Sequence, residues 1–260
     1  MWKYEPEKIK KATQSIQDGF DRSLEFESGM FPGLEAVDYA AEQLTQRFDN
    51  ENGGFGTAPK FPSPHNLSFL LRQWFATKED RFKDSVEKTL TKMRLGGIWD
   101  HLGFGFHRYS TDKKWLLPHF EKMLYDQALM MIAYTEGWQV TGNPLFKQTV
   151  FEIADYVSNN LSHKNGSFFS AEDADSDGEE GKFYVWETDE IDKILSNEES
   201  DFFKTTFNML HEGNFEDEAT KQLTGKNIPF LTDVLTDAKS AQFDAIREKL
   251  LIERNKRNHP

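Results

Sequence analysis

The sequence contains no cysteine. That absence excludes a disulfide framework, a thiolate zinc site, a thiol nucleophile and a C-x-x-C redox pair, so any metal would rest on His, Asp or Glu. Positive charge is also scarce: 31 Lys and Arg stand against 44 Asp and Glu, a net charge of -13. A surface of that sign repels phosphate backbones and anionic bilayers, so neither nucleic acid nor a membrane is an expected partner. No apolar run approaches the ~20 residues that a spanning helix needs. The charged start Met1-Trp-Lys-Tyr-Glu-Pro-Glu lacks the apolar stretch of a secretory leader, and a cytoplasmic location is the expectation.

Rings, by contrast, are abundant. Phe, Trp and Tyr make up 14% of a chain whose hydrophobic residues reach only 37%. Most of the 23 Phe recur at helical spacing, which places them in a core. Trp99 and Trp115 differ, because they sit in loop-like sequence among polar residues, where a flat ring can serve as a platform for a sugar face.

Apolar residues at every third or fourth position predict helices over 6–27, 34–48, 64–77, 79–94, 118–140, 144–162, 188–196, 199–209 and 235–253. Asn143 ahead of Pro144 reads as a cap with proline at the first helical position. Two aromatic runs, 167–170 and 182–186, flank an acidic loop and read as a β-hairpin inserted among the helices. Gly53-Gly-Phe, Gly96-Gly-Ile and Asn165-Gly-Ser-Phe each follow a helix, so helix, glycine-rich loop, helix is a weak repeating unit. Successive helical hairpins must stack on neighbours, either in an open solenoid or in a closed toroid. Long loops with clustered rings favour the toroid.

The stretch from Gly96 to Asp126 carries the densest chemistry, with His101, His107 and His119 among many carboxylates. Gly103 and Gly105 allow a loop that folds back on itself and holds Asp100, His101, His107 and Arg108. If a helix opens after Pro118, His119, Lys122 and Asp126 share one stripe. Histidine beside carboxylates is equipment for general acid and base catalysis. The same residues also fit a plainer account, in which Lys122 and Asp126 form an i,i+4 pair and His119 meets a loop carbonyl. No H-E-x-x-H spacing points to zinc. In the acidic loop, Asp173, Asp175, Asp177 and Gly178 match positions 1, 3, 5 and 6 of a calcium loop, but position 12 falls on Tyr184, so calcium stands only as a weak alternative to no cofactor. A solvated turn, or carboxylates such as Glu172 and Asp173 projecting into a cleft, are the other readings.

Three blocks carry a resemblance: Gly53-Gly-Phe-Gly-Thr-Ala-Pro-Lys-Phe-Pro62; the run Gly96 to Asp126 with His-Arg-Tyr-Ser-Thr-Asp and Pro-His-Phe-Glu-Lys-Met-Leu-Tyr-Asp; and Ala171-Glu-Asp-Ala-Asp-Ser with Glu180-Gly-Lys-Phe-Tyr-Val-Trp186. They resemble the spermatogenesis-associated protein 20 family and its YyaL-like bacterial members. The resemblance spans most of residues 30–260. It implies a larger protein in which a thioredoxin-like domain precedes an (α/α)6 toroid similar to six-hairpin glycosidases and N-acylglucosamine 2-epimerases. Residues 1–28 then correspond to a linker helix after the absent thioredoxin-like domain, and residues 29–260 to the N-terminal part of the toroid, with a small inserted β-hairpin. The second half of the ring is expected to be missing, and the exposed helix faces invite self-association. Phe104 departs from the family pattern, standing where glycine is common.

The function expected from this resemblance is a carbohydrate-active module, epimerase, isomerase or glycosidase-like, inactive as a fragment. The alternative is a non-catalytic ligand- or client-binding scaffold beside a thioredoxin-like domain. His119 or His107 would be the acid or base and Asp100, Glu121 or Asp126 its partner. Trp99, His101, Arg108, Trp115, Tyr125, Glu172 and Asp173 would contact a small-molecule or carbohydrate ligand.

Overall fold

The computed structural model describes residues 5–25, 29, 33–217 and 220–260. Residues 26 and 27, the end of the first expected helix, lie outside the described residues, as does residue 28 at the expected domain boundary. The chain divides into two units, Met1–Tyr39 and Ala40–Pro260. In the first lies α1, Pro6–Leu24, with Pro6 at the helix start and no buried side chain; its stripe residues Ile16, Phe20 and Leu24 are all exposed.

The second unit is mainly helical. The boundary falls inside α2, Glu35–Gln46; after it come α3, Pro64–Thr77, and α4, Asp80–Leu95, then α5, Leu124–Thr141, and α6, Pro144–Asn160. Only two residues separate α3 from α4 and α5 from α6, the spacing of helical hairpins. Asn143 caps α6 as expected, its side chain accepting from the Leu145 N–H. Helix α5 packs against α3, α4 and α6. Their shared core contains Leu67, Leu70, Val86, Leu90, Met130, Tyr134, Phe146 and Ile153. Each such side chain contributes roughly 2 kcal/mol through the apolar area it removes from water. A second core joins α7, Thr188–Ile194, α8, Asn197–Thr206, and α9, Asp237–Arg254, through Ile191, Phe203, Phe207, Phe243, Ile246 and Leu250. Helix α8 opens on a full capping box, Ser196 with Glu199.

Strands are short and antiparallel: β1, Tyr109–Ser110, pairs with β2, Pro118–His119; β3, Lys122–Met123, with β4, Ala171–Glu172; and β5, Asp175–Ser176, with β6, Glu179–Glu180. Two sequence expectations are corrected here. Helix α5 starts at Leu124, not after Pro118, because residues 118–123 are drawn out by pairing with Tyr109–Ser110 and with Ala171–Glu172. The inserted hairpin is β5 and β6, inside the acidic loop, rather than the aromatic runs on either side of it. Phe183, Tyr184 and Val185 instead join Phe120 and Ile228 in a third small core. Cross-links other than ladders hold the Gly96–Met123 loop between these cores. Ile98 N–H donates to the Trp115 carbonyl at 3.0 Å, and the Gln127 amide brackets Phe106, accepting from its N–H and donating to its carbonyl at 2.9 and 2.7 Å. Gly97 is required by this return: a Cβ there would lie 2.1 Å from the Leu116 carbonyl oxygen.

Candidate functional site

In extended chain, successive side chains point to opposite sides. Along 118–123 this alternation turns Phe120 and Lys122 inward and His119 and Glu121 outward. The single helical stripe expected for His119, Lys122 and Asp126 is therefore split into two groups on opposite sides of the segment.

Lys122 is 1% exposed. Its ammonium donates to Asp100 Oδ2 and to the Phe104 carbonyl, both at 2.9 Å, and lies over the rings of Tyr156 and Tyr184 at 4.6 and 4.7 Å. Asp100 accepts on its other oxygen from Arg254 Nη1 at 2.8 Å and from the Leu102 and Gly103 N–H groups at 3.0 Å each. Burial works against a charge on Asp100, yet Arg254 and Lys122 together hold its carboxyl well below the ordinary carboxylate range. Glu172, arriving on β4, accepts from both the Tyr156 hydroxyl, at 3.0 Å, and the Tyr184 hydroxyl. Burial, reinforced by the Glu172 charge, raises both phenols, which keeps them protonated and donating. Asp100, Lys122, Tyr156, Glu172 and Arg254 floor a cavity of about 470 Å³, walled further by Arg247 and by the amides of Asn159, Asn160 and Asn255.

His107 adjoins this floor. Its Nδ1 donates to the Phe120 carbonyl at 2.8 Å, and its ring meets Tyr184 edge-on at 4.7 Å. Burial and then the Lys122 charge push it down to about 3, so the imidazole is neutral. His101 is likewise held at about 3 by burial and by Arg94, with Nε2 against the Leu95 and Gly96 carbonyls at 3.2 and 3.1 Å. It fixes the loop's entry. The ring-platform expectation for Trp99 and Trp115 is corrected: they are 1% and 0% exposed. Trp99 packs on Phe106 and under Arg94, while Trp115 Nε1 donates to the Asn52 carbonyl and its ring lies beneath Lys60. Polar neighbours in the sequence hid the fact that the loop lies between cores.

The outer group gathers His119, Glu121, Arg108, Tyr125 and Asp126. His119 Nδ1 meets Glu180 Oε1 at 2.7 Å, its Nε2 is 3.7 Å from Glu121, and its ring stacks on Tyr109. Arg108 donates to Glu121 at 2.7 Å and also interacts with the Tyr125 hydroxyl. Asp126 is half-buried, with Oδ2 unpartnered, and burial lifts its carboxyl to about 6 against the pull of Arg108. Such a group exchanges protons near neutral pH.

In the acidic loop the same alternation buries Glu172 and turns Asp173 and Asp175 out. Asp173 accepts from the Ala174 and Asp175 N–H groups, while Asp177 pairs with Lys182 and Asn258. Asp173 thus lies away from the cavity. No group of three or more His, Asp or Glu that could hold a metal ion occurs among the described residues.

Arg254 and Tyr156 escaped the sequence reading, although a signal existed. On α9 the buried stripe runs Phe243, Ile246, Leu250, Arg254, and on α6 it runs Ile153, Tyr156; a polar group continuing an apolar stripe needs a buried partner. That the partner of Arg254 is Asp100, 154 positions earlier, is a tertiary fact.

No helix among the described residues is long and apolar enough to cross a membrane. No family model matches the chain. Among solved structures it is similar to part of a sugar epimerase from a ruminal bacterium, with TM-score 0.47 and 15% identity over 54% of this chain and 40% of that one. Part of the cellobiose 2-epimerase of Bacillus thermoamylovorans is similar to the same degree, with TM-score 0.47 and 16% identity over 53% and 40%. In sequence, an uncharacterized protein of Caenorhabditis elegans is 38% identical over 215 residues, 75% of this chain and 29% of that protein. Human and mouse spermatogenesis-associated protein 20 are 46% and 45% identical over 164 residues, 59% of this chain. The chain spans about a fifth of the length of these mammalian relatives. Over those 164 residues the chain is homologous to part of spermatogenesis-associated protein 20.

Proposed function

We propose that the cavity floored by Asp100, Lys122, Glu172 and Arg254 binds a polyhydroxylated ligand of the carbohydrate class, and that the chain is part of a carbohydrate-active module of the (α/α) toroid type. The lining of the cavity carries this reading. Fixed carboxylates, cations and amides stand beside aromatic faces around about 470 Å³, a volume that suits a small sugar. Hydroxyl groups both donate and accept, so they match a wall that offers both in rigid positions.

Within this reading Asp100 and Glu172 fix the cations and the tyrosine hydroxyl that meet the ligand. Neutral His107 is 2% exposed, has its Nδ1 committed to Phe120 and is not among the residues that line the cavity. Its depressed pKa makes it a poor base. A proton shuttle near neutral pH falls instead to Asp126, with His119 and Glu121 beside it on the outer side of the 118–123 segment. That separation favours the second reading, a binding scaffold without turnover, because the inner carboxylates and Lys122 are tied to fixed partners.

The test is a panel of mono- and oligosaccharides titrated calorimetrically against the protein and its Tyr156→Phe variant, with a parallel sugar-isomerisation assay. Saturable binding that weakens in Tyr156→Phe supports the cavity assignment. Turnover lost in His119→Ala or Asp126→Asn assigns the shuttle to the outer group, and binding without turnover supports the scaffold. No binding across the panel refutes both.

A further inference from the structure

The donors left over in the cavity specify more than hydroxyl recognition. Helix α9 places Arg247, Leu251 and Arg254 on one stripe, at i, i+4 and i+7, and all three line the cavity. Arg254 is 4% exposed, and of its five N–H donors one is used, to Asp100; its Nε is buried without a partner. Arg247 donates from Nη1 to the Leu102 carbonyl at 2.9 Å, stacks its guanidinium over Phe104 at 4.6 Å, and likewise has a buried Nε without a partner.

The acceptors already present do not need these donors. Both oxygens of Asp100 are filled by Lys122, Arg254 and two backbone N–H groups, and both oxygens of Glu172 are filled by tyrosine hydroxyls. The charges of the floor also balance without Arg247: Asp100 and Glu172 offset Lys122 and Arg254. Arg247 has no carboxylate within 4.0 Å among the described residues, so it adds one positive charge to the wall. Asp155, the other carboxylate lining the cavity, is exposed and screened by water. We infer that the ligand carries one anionic oxygen group, a carboxylate or a phosphate, received by the Arg247 and Arg254 guanidiniums of α9. Two planar forks facing one space are suited to such a group, which presents paired acceptors in a plane or a tetrahedron.

This inference rests on the carbohydrate reading above, and the probes separate the two. The protein is titrated with glucose as the neutral probe, glucuronate as the carboxylate, glucose 6-phosphate as the phosphate, and inorganic phosphate as the anion without a sugar. At least one acidic sugar is expected to bind roughly tenfold tighter than glucose, with an affinity that falls as salt rises. Arg247→Gln, its folding verified by thermal melting, is expected to bring that sugar down to the affinity of glucose. Which acid wins distinguishes carboxylate from phosphate. Glucose binding as tightly as both acids overturns the inference and leaves the carbohydrate reading standing. Inorganic phosphate binding as tightly as glucose 6-phosphate keeps the anion site and removes the sugar. No binding by any probe refutes both, and an advantage that survives Arg247→Gln overturns the assignment to α9.

Discussion

Replacing Lys122 with methionine keeps most of the side-chain volume and removes the charge. The variant loses the ammonium contacts to Asp100 and to the Phe104 carbonyl and its position over two tyrosine rings. Breaking a fully buried pair costs about 3 to 5 kcal/mol, because the remaining charge stays desolvated. Asp100 keeps Arg254 and two backbone donors, which argues for the lower end, while the Phe104 carbonyl left without its ammonium donor adds about 1. The expected loss is thus about 3 to 4 kcal/mol, a fall in Tm of roughly 10 °C. Urea unfolding at neutral pH measures it as a lower midpoint at unchanged slope. The pH dependence supplies a second check. Asp100 has its folded value depressed, so it contributes stability above its unfolded value near ~4 and loses it as pH falls through the folded value. Removing Lys122 weakens that depression, so variant and wild type should converge toward acid. A difference under about 0.5 kcal/mol at neutral pH would refute the argument that this pair holds the cavity floor.

Asp126→Asn should act with the opposite sign. Its folded value is raised from 3.8 to about 6, so the ionised carboxylate costs stability that builds up as pH rises from the unfolded to the folded value, is full above about 6, and vanishes below pH ~3. At full burial that rise corresponds to roughly 3 kcal/mol; for a half-buried group in the first turn of α5 about 1 is expected at pH ~8, measured as a gain in urea midpoint absent at acid pH. Gly103→Ala would set a Cβ 1.9 Å from Arg254 Nη2, which the Asp100 contact pins in place, so a loss of about 1 to 3 kcal/mol and weaker ligand binding are expected by melting and calorimetry. Lys60→Met removes a fully buried ammonium bound to Asp49 and to the Gly53 and Lys113 carbonyls, at 2.7, 2.8 and 2.9 Å; about 3 kcal/mol should be lost in urea unfolding, and an unchanged midpoint would make Lys60 dispensable to the Gly53–Lys60 turn.

The legibility of the site followed the range of the forces that build it. Helices α3, α4, α6 and α9 lie within a few residues of their expected bounds, because spacing at three and four and local caps such as Asn143 act within a few residues. Asp100 and Glu172, named as candidates from the glycine-rich and the acidic loop, both line the cavity. His119, Lys122 and Asp126 were read on the wrong geometry. Their spacing fits a helix equally well, and only pairing with residues 109–110 and 171–172 draws the chain out. Phe104 shows the same limit. It occupies left-handed backbone, φ 67°, where glycine is the easier residue, and its ring is retained between Trp99 and Arg247.

By itself the sequence determined an acidic, cysteine-free, mainly helical chain with its chemistry concentrated between Gly96 and Asp126 and again at Glu172, because composition and periodicity are properties of neighbouring residues. The tertiary structure decided which of those groups meet. It turned Lys122 inward and His119 outward, sent both tryptophans into the core, and brought Arg254 onto Asp100 from the far end of α9. A buried charge is tolerable only beside its opposite. Which residue supplies that opposite depends on how distant elements pack, and no local pattern records it.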